Sequence, residues 1–142
     1  MGRSVSKFTR SSKQEPKKAA RIILFKQQNE HSKPIFKTLK LLNLHDTCKL
    51  ECAKFMYDIS KGNRETFFSY LFQLTSKKHH IKTRQATCGK FSLPVARTNY
   101  KSRFITNFGV RIWSDIPKNI RNSPTKMVFG KRFKHLLLQT YE

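Results

Sequence analysis

The sequence predicts a mostly α fold with a small β element, short helices around one modest core, and a disordered basic N-terminus. Two observations carry that prediction. Apolar residues recur at helical spacing in several separate stretches, whereas loose strand-like alternation is confined to residues 103–108. Start and stop residues punctuate the chain at short intervals, among them Pro16, Gly62, Gly109, Pro117 and Ser123-Pro124. At 142 residues the chain is one domain's worth, so residues 16–142 read as a single domain behind a tail over 1–15.

Residues 1–15 carry Ser, Lys and Arg with little apolar content, a composition that cannot bury enough surface to order itself. Pro16 suits the first position of a helix over about 16–28, with Ala19, Ala20, Ile22, Ile23, Leu24 and Phe25 as its apolar set. Residues 30–34 break that pattern. A second helix over about 34–41 turns Ile35, Phe36, Leu39 and Leu42 inward. A third, over about 46–60, has the stripe Cys48, Cys52, Phe55, Met56 and Ile59, with Gly62 as its cap. A shorter aromatic helix is expected over about 64–74, completing a helical part over 16–74. Residues 75–109 read as a basic connector with short strands; Pro94 and the run 97–100 disfavour continuous helix, and Gly109 ends the strand at 103–108. The part from 110 to 142 is helical again. Val110–Asp115 forms a turn of helix anchored by Trp113, Pro117 starts another turn, and Ser123 caps a final helix over about 124–139. Gly130 sits inside that helix, at a cost of about 1 kcal/mol relative to Ala.

Charge is the strongest functional signal. Thirty Lys/Arg stand against eight Asp/Glu, a net +22. Residues 1–71 carry a net +9 and residues 72–142 a net +13. Between residues 66 and 114 there are nine cations and no acid. Such a run repels itself, and a polyanion relieves the repulsion. Lys77, Lys78, Lys82, Arg84, Lys90, Arg97, Lys101 and Arg103 fall within 27 residues, with Tyr100 and Phe104 as stacking surfaces. These residues, Tyr100 included, are the candidate nucleic-acid contacts, and RNA or DNA is the expected partner. Trp113, set among Phe108, Val110, Ile112 and Ile116, reads instead as a core anchor against Phe129 and Phe133.

Other chemistries find little support. The apolar runs 22–25 and 136–138 are far shorter than a membrane span, so no membrane partner is expected. Met1-Gly2-Arg3-Ser4-Val5-Ser6 fits a loose myristoylation pattern and residues 1–14 resemble a transit peptide, but an unstructured basic tail explains both. Three cysteines are too few for a disulfide framework and point to a reducing compartment, nuclear or cytoplasmic. Cys48 and Cys52, with His45, His79, His80 and Cys88, could supply zinc ligands; their spacing favours packed thiols instead, so no metal is expected. The eight acids are scattered. No Ser/His/Asp grouping, phosphate-binding loop or adjacent aspartate pair is present. No catalytic residue, cofactor or small-molecule substrate is therefore expected.

An ordered set of phrases spans residues 17–138. It comprises Ala20-Arg21-Ile22-Ile23-Leu24-Phe25, the stretch from Glu30-His31 through Ile35-Phe36-Lys37 to Asp46, and Ala53-Lys54-Phe55-Met56-Tyr57. Further along the chain come His79 to Ala86, Leu93-Pro94 with Arg97-Thr98-Asn99-Tyr100, Phe108-Gly109 to Pro117, and Phe129 to Leu138. Taken in order, these resemble the C-terminal tail of reverse transcriptases from non-LTR, LINE-type retrotransposons of the jockey-like and chicken-repeat-like groups. Ile81, Lys82 and Lys101 depart from the family's usual Tyr, Asn and Gly, as a diverged copy would. The resemblance implies a region downstream of an RNA-directed DNA polymerase palm, in a protein that also carries an endonuclease. The acids that serve those activities are absent from this sequence. The expected function is thus a fragment or diverged copy of that region, binding RNA or DNA by charge and stacking without catalysis. A host-used basic interaction protein that inherited the sequence is the rival reading.

Overall fold

The computed structural model describes residues 15–62, 69–78 and 89–141. Residues 1–14 of the expected tail, and Lys82, Arg84, His79, His80 and Cys88, lie outside the described residues. The chain is mostly helical. Residues 15–23 form α1. Then come α2 (Ser32–Thr38), α3 (Leu44–Ser60), a 3-10 turn at Ser69–Leu71, α4 (Thr75–Lys78), α5 (Asn99–Arg103), α6 (Ile105–Asp115), α7 (Lys118–Arg121) and α8 (Lys126–Gln139). The chain divides into two compact units, one of residues 1–48 and 134–142, the other of residues 49–133.

The first unit is built on Ala20, Ile35, Phe36 and Tyr141, with Leu24, Leu39, Leu42 and Leu138 packed against them. Both short helices stop without glycine. Phe25 and Lys40 each take φ of 52° and end α1 and α2 in left-handed turns. The Lys26 and Leu41 amides reach back five residues to the Arg21 and Phe36 carbonyls, both at 2.9 Å. The expected helix over 16–28 is therefore cut short at residue 23, and its apolar face is smaller than periodicity suggested. Ile22 and Ile23 are exposed and Phe25 is 97% exposed. Asn43 caps α3: its Oδ1 accepts from the Asp46 amide at 2.9 Å, and its Nδ2 donates to Asp46 Oδ2 at 2.8 Å. The Tyr141 hydroxyl locks this start in place. It donates to Asp46 Oδ2 at 2.6 Å and accepts from the Asn43 amide at 3.0 Å.

The second unit holds the aromatic core. Tyr57 stacks on Phe129 at 4.8 Å between ring centroids, and Trp113 tilts against Phe129 at 5.9 Å. Phe133, Phe91 and Phe72 extend the series. Trp113 is 2% exposed, so it is a core residue. Two polar contacts fix α3 against the start of α8. The Tyr57 hydroxyl donates to the Ser123 carbonyl at 2.7 Å, and Lys126 Nζ meets the buried Asp58 carboxylate at 2.6 Å.

Several sequence expectations change. The strand at 103–108 is helix: Phe104 ends α5 and starts α6, and no strand exists among the described residues beyond an isolated antiparallel bridge between Leu74 and Phe91. Three alternating positions were too few to outweigh Ile105, Phe108 and Ile112, which recur at helical spacing. Gly109 does not terminate anything; it lies inside α6 where Met56 Sδ would stand 3.0 Å from an added Cβ. Of the aromatic helix expected over 64–74, residues 64–68 lie outside the described residues; Ser69–Leu71 form a 3-10 turn, and Gln73 and Thr75 pair with Ser92 and Lys90 through their backbones. The stripe of α3 is rotated. Its buried residues beyond Asp46 are Leu50, Ala53, Met56, Tyr57 and Asp58, leaving Cys48 exposed and Cys52 half-buried rather than packed. Finally, Ser123 does not cap α8. Its hydroxyl donates to the Ile120 carbonyl at 2.7 Å, and Thr125 Oγ1 accepts the Val128 amide instead.

The two helical glycines should respond oppositely to alanine. An added Cβ at Gly109 meets Met56, which is fully buried, at 3.0 Å (Sδ) and 3.3 Å (Cγ). At Gly130 it meets the Lys54 Cε at 3.0 Å, the end of a flexible chain that can swing aside. Urea denaturation should show Gly130→Ala stabilised by up to about 1 kcal/mol and Gly109→Ala destabilised by about 1–3 kcal/mol.

Tyr141 gives a pH signature. Burial first, and then its hydrogen bond to Asp46, push the phenol up from 10.0 to about 12, against the opposing hydrogen bond from the Asn43 amide. Below pH 10 folded and unfolded chains both keep the proton, and the full contribution is present. Between pH 10 and 12 only the folded state keeps it, so about 2–3 kcal/mol is lost as pH rises. Tyr141→Phe should be less stable than the parent at pH 8, and the gap should close towards pH 12. A gap that stays constant across this range would rule the coupling out.

Candidate nucleic-acid interface

The sequence places its candidate contacts on the segment leading into α5. Thr98 caps α5, its Oγ1 accepting from the Lys101 amide at 3.2 Å. None of the five residues of α5 is buried. The helix is held in place from its C-terminal side. Phe104 adopts an extended conformation, the Asn107 and Phe108 amides bond back to its carbonyl, and α6 sinks Val110, Ile112 and Trp113 into the core. A turn of helix with no buried residue is thus tied to a partly buried helix across a single residue.

The turn brings Tyr100 and Phe104 together edge to face, with centroids 5.0 Å apart and planes at 85°. Tyr100 is 76% exposed and Phe104 49% exposed. An edge-to-face pair leaves at least one ring face open on each partner, and an open aromatic face is what a base stacks on. Arg97, Lys101 and Arg103 surround the pair in sequence, all three exposed, and none forms an ion pair with a described residue. Lys101 and Arg103 lie in the last turn of α5, and neither α5 nor the first turn of α6 carries an acid to offset them. Lys90 is half-buried; its carbonyl accepts from Thr75, so its backbone serves the fold. Lys77 and Lys78 fall on α4. The structure pairs Tyr100 with Phe104 and leaves Arg97, Lys101 and Arg103 exposed on or just before the same turn of helix, while the Lys90 backbone is engaged in the fold.

A second charged site escaped the sequence reading. In the first unit a cleft of about 310 Å³ is lined by Pro16, Lys17, His31, Ser32, Lys33, Phe36, Asn43, Leu44, His45 and Tyr141. Lys17, His31, Lys33 and His45 are exposed at its rim, whereas Phe36 and Tyr141 are buried at its floor. Its residues come from α1, from α2 and the residue before it, from the start of α3 and its cap Asn43, and from Tyr141, which no local window could join.

Among the described residues no three His, Cys, Asp or Glu side chains group to hold a metal ion. No helix among them is long and apolar enough to cross a membrane. Comparison with protein-family models, with curated proteins and with solved structures gives no match for this chain.

Proposed function

We propose that the chain binds RNA or DNA through the Tyr100–Phe104 surface. We further propose that it represents a fragment or diverged copy of the C-terminal region of a retrotransposon reverse transcriptase, without catalysis of its own. The observation that carries the binding reading is the open aromatic pair flanked by three cations with no ionic partner among the described residues. Stacking accepts any base and cations accept any phosphate, so the reading is of sequence-independent contact with exposed, unpaired strands. The family reading rests on the ordered phrases over residues 17–138.

The contact is mainly electrostatic, so affinity for a single-stranded oligonucleotide should fall steeply between 50 and 200 mM salt, by about tenfold or more for each few phosphates neutralised. Tyr100→Ala should weaken binding by about 1–3 kcal/mol while leaving the thermal midpoint nearly unchanged, because the ring is exposed. Trp113→Ala should do the reverse and destabilise the fold by about 3–5 kcal/mol. Affinity indifferent to salt, or Trp113→Ala with full stability and lost binding, would overturn these assignments. Primer extension with the purified chain, Mg²⁺ and nucleotides should yield no product above a mock preparation.

A further inference from the structure

We infer that the cleft of the first unit is a second binding site, for a nucleoside monophosphate: the phosphate-bearing end of a strand or a free mononucleotide. The cleft is independent of the Tyr100–Phe104 surface, since none of its lining residues lies between 46 and 140.

Its chemistry is divided. At the floor, Phe36 and Tyr141 are buried and present ring carbon, with Pro16 and Leu44 adding apolar surface beside them. At the rim stand Lys17, His31, Lys33 and His45. Lys17, His31 and Lys33 form no ion pair with a described residue. An apolar ligand would leave the Lys17 and Lys33 charges uncompensated, and a bare inorganic anion would leave the floor unfilled. A ligand with a flat apolar body and a terminal dianion answers both ends.

Size narrows the choice. About 310 Å³ lies at the lower end of small-ligand sites, room for one nucleotide and not for a dinucleotide held in full. Asp46, next to the lining residue His45, does not itself line the cleft, and its charge is engaged. Oδ2 accepts from Tyr141 at 2.6 Å and from Asn43 at 2.8 Å, and Oδ1 lies 3.5 Å from His45 Nδ1. The Tyr141 hydroxyl is likewise occupied, donating to Asp46 and accepting from the Asn43 amide. The polar atoms at the floor are therefore satisfied, while the exposed Lys17 and Lys33 side chains can turn toward a phosphate. The Ser32 hydroxyl, half-buried between His31 and Lys33, can donate to the same group.

The test tracks the ring signals of His31 and His45 by NMR in the full chain. Adenosine 5′-monophosphate should shift both saturably. Adenosine and inorganic phosphate should each bind at least tenfold more weakly. The Lys17→Ala/Lys33→Ala variant should lose the response while melting at the parent temperature, since both side chains are exposed. Tyr100→Ala should keep the response, which separates this site from the proposed stacking surface. A 5′-phosphorylated oligonucleotide that produces the same shifts, where its 5′-hydroxyl twin does not, supports the strand end as the natural source. No saturable shift of either histidine with the monophosphate, or equal responses to phosphate alone, would overturn the inference.

Discussion

The second unit depends on Phe129. Its ring is fully buried and contacts three aromatic residues: Tyr57 from α3, Trp113 from α6 and Phe133 on its own helix. Each such pair adds about 0.5–1.5 kcal/mol beyond the area it buries, and here three elements share one ring. The remaining contacts act on that geometry. The Tyr57 hydroxyl and the Asp58 carboxylate reach Ser123 and Lys126, fixing the turn before α8 and so the depth at which Phe129 enters. Through Trp113 the constraint passes to α6, and across Phe104 to α5. The exposed aromatic pair owes its position to a side chain it never touches.

Most helices were legible in the sequence because their starts and stops are chemical. Gly62 takes φ of 69° after α3, as its place behind an apolar run suggested, and Pro117 precedes α7. Faces were harder to read. On α3 the apolar residues at 48, 52, 55, 56 and 59 compete with a second series at 50, 53, 56 and 57, and hydrophobicity alone cannot rank them. Tyr57 decides the matter, because its hydroxyl finds the Ser123 carbonyl, 66 residues away. Helix ends at Phe25 and Lys40 were invisible for a related reason. A left-handed residue with a side chain costs energy locally and is tolerated where the chain beyond it must turn back to pack.

The candidate interface was legible in part. Its cations and Tyr100 stand in one short segment, so composition alone could find them. Composition could not supply the kink at Phe104, which turns an apparent connector into two helices and sets one ring against the other. The cleft of the first unit was wholly illegible. Pro16 and Tyr141 are 125 positions apart, and Pro16 already had a sufficient local reading as a helix start.

Where the acids lie explains why a net +22 does not leave the whole chain equally attractive to a polyanion. Asp58 meets Lys126, Asp46 meets Tyr141, Glu51 meets Lys54 at 2.7 Å and Glu30 meets Lys26 at 3.4 Å. These acids serve helix starts, helix pairs and core edges, and each lowers the field around itself. None occurs between residues 66 and 114. At physiological salt, charges on the surface are screened beyond about 8 Å, so a phosphate senses its immediate neighbours and little of the total. The local excess then matters more than the sum. It is high beside Tyr100, where Arg97, Lys101 and Arg103 meet no carboxylate among the described residues, and the exposed Tyr100–Phe104 pair stands in the same segment.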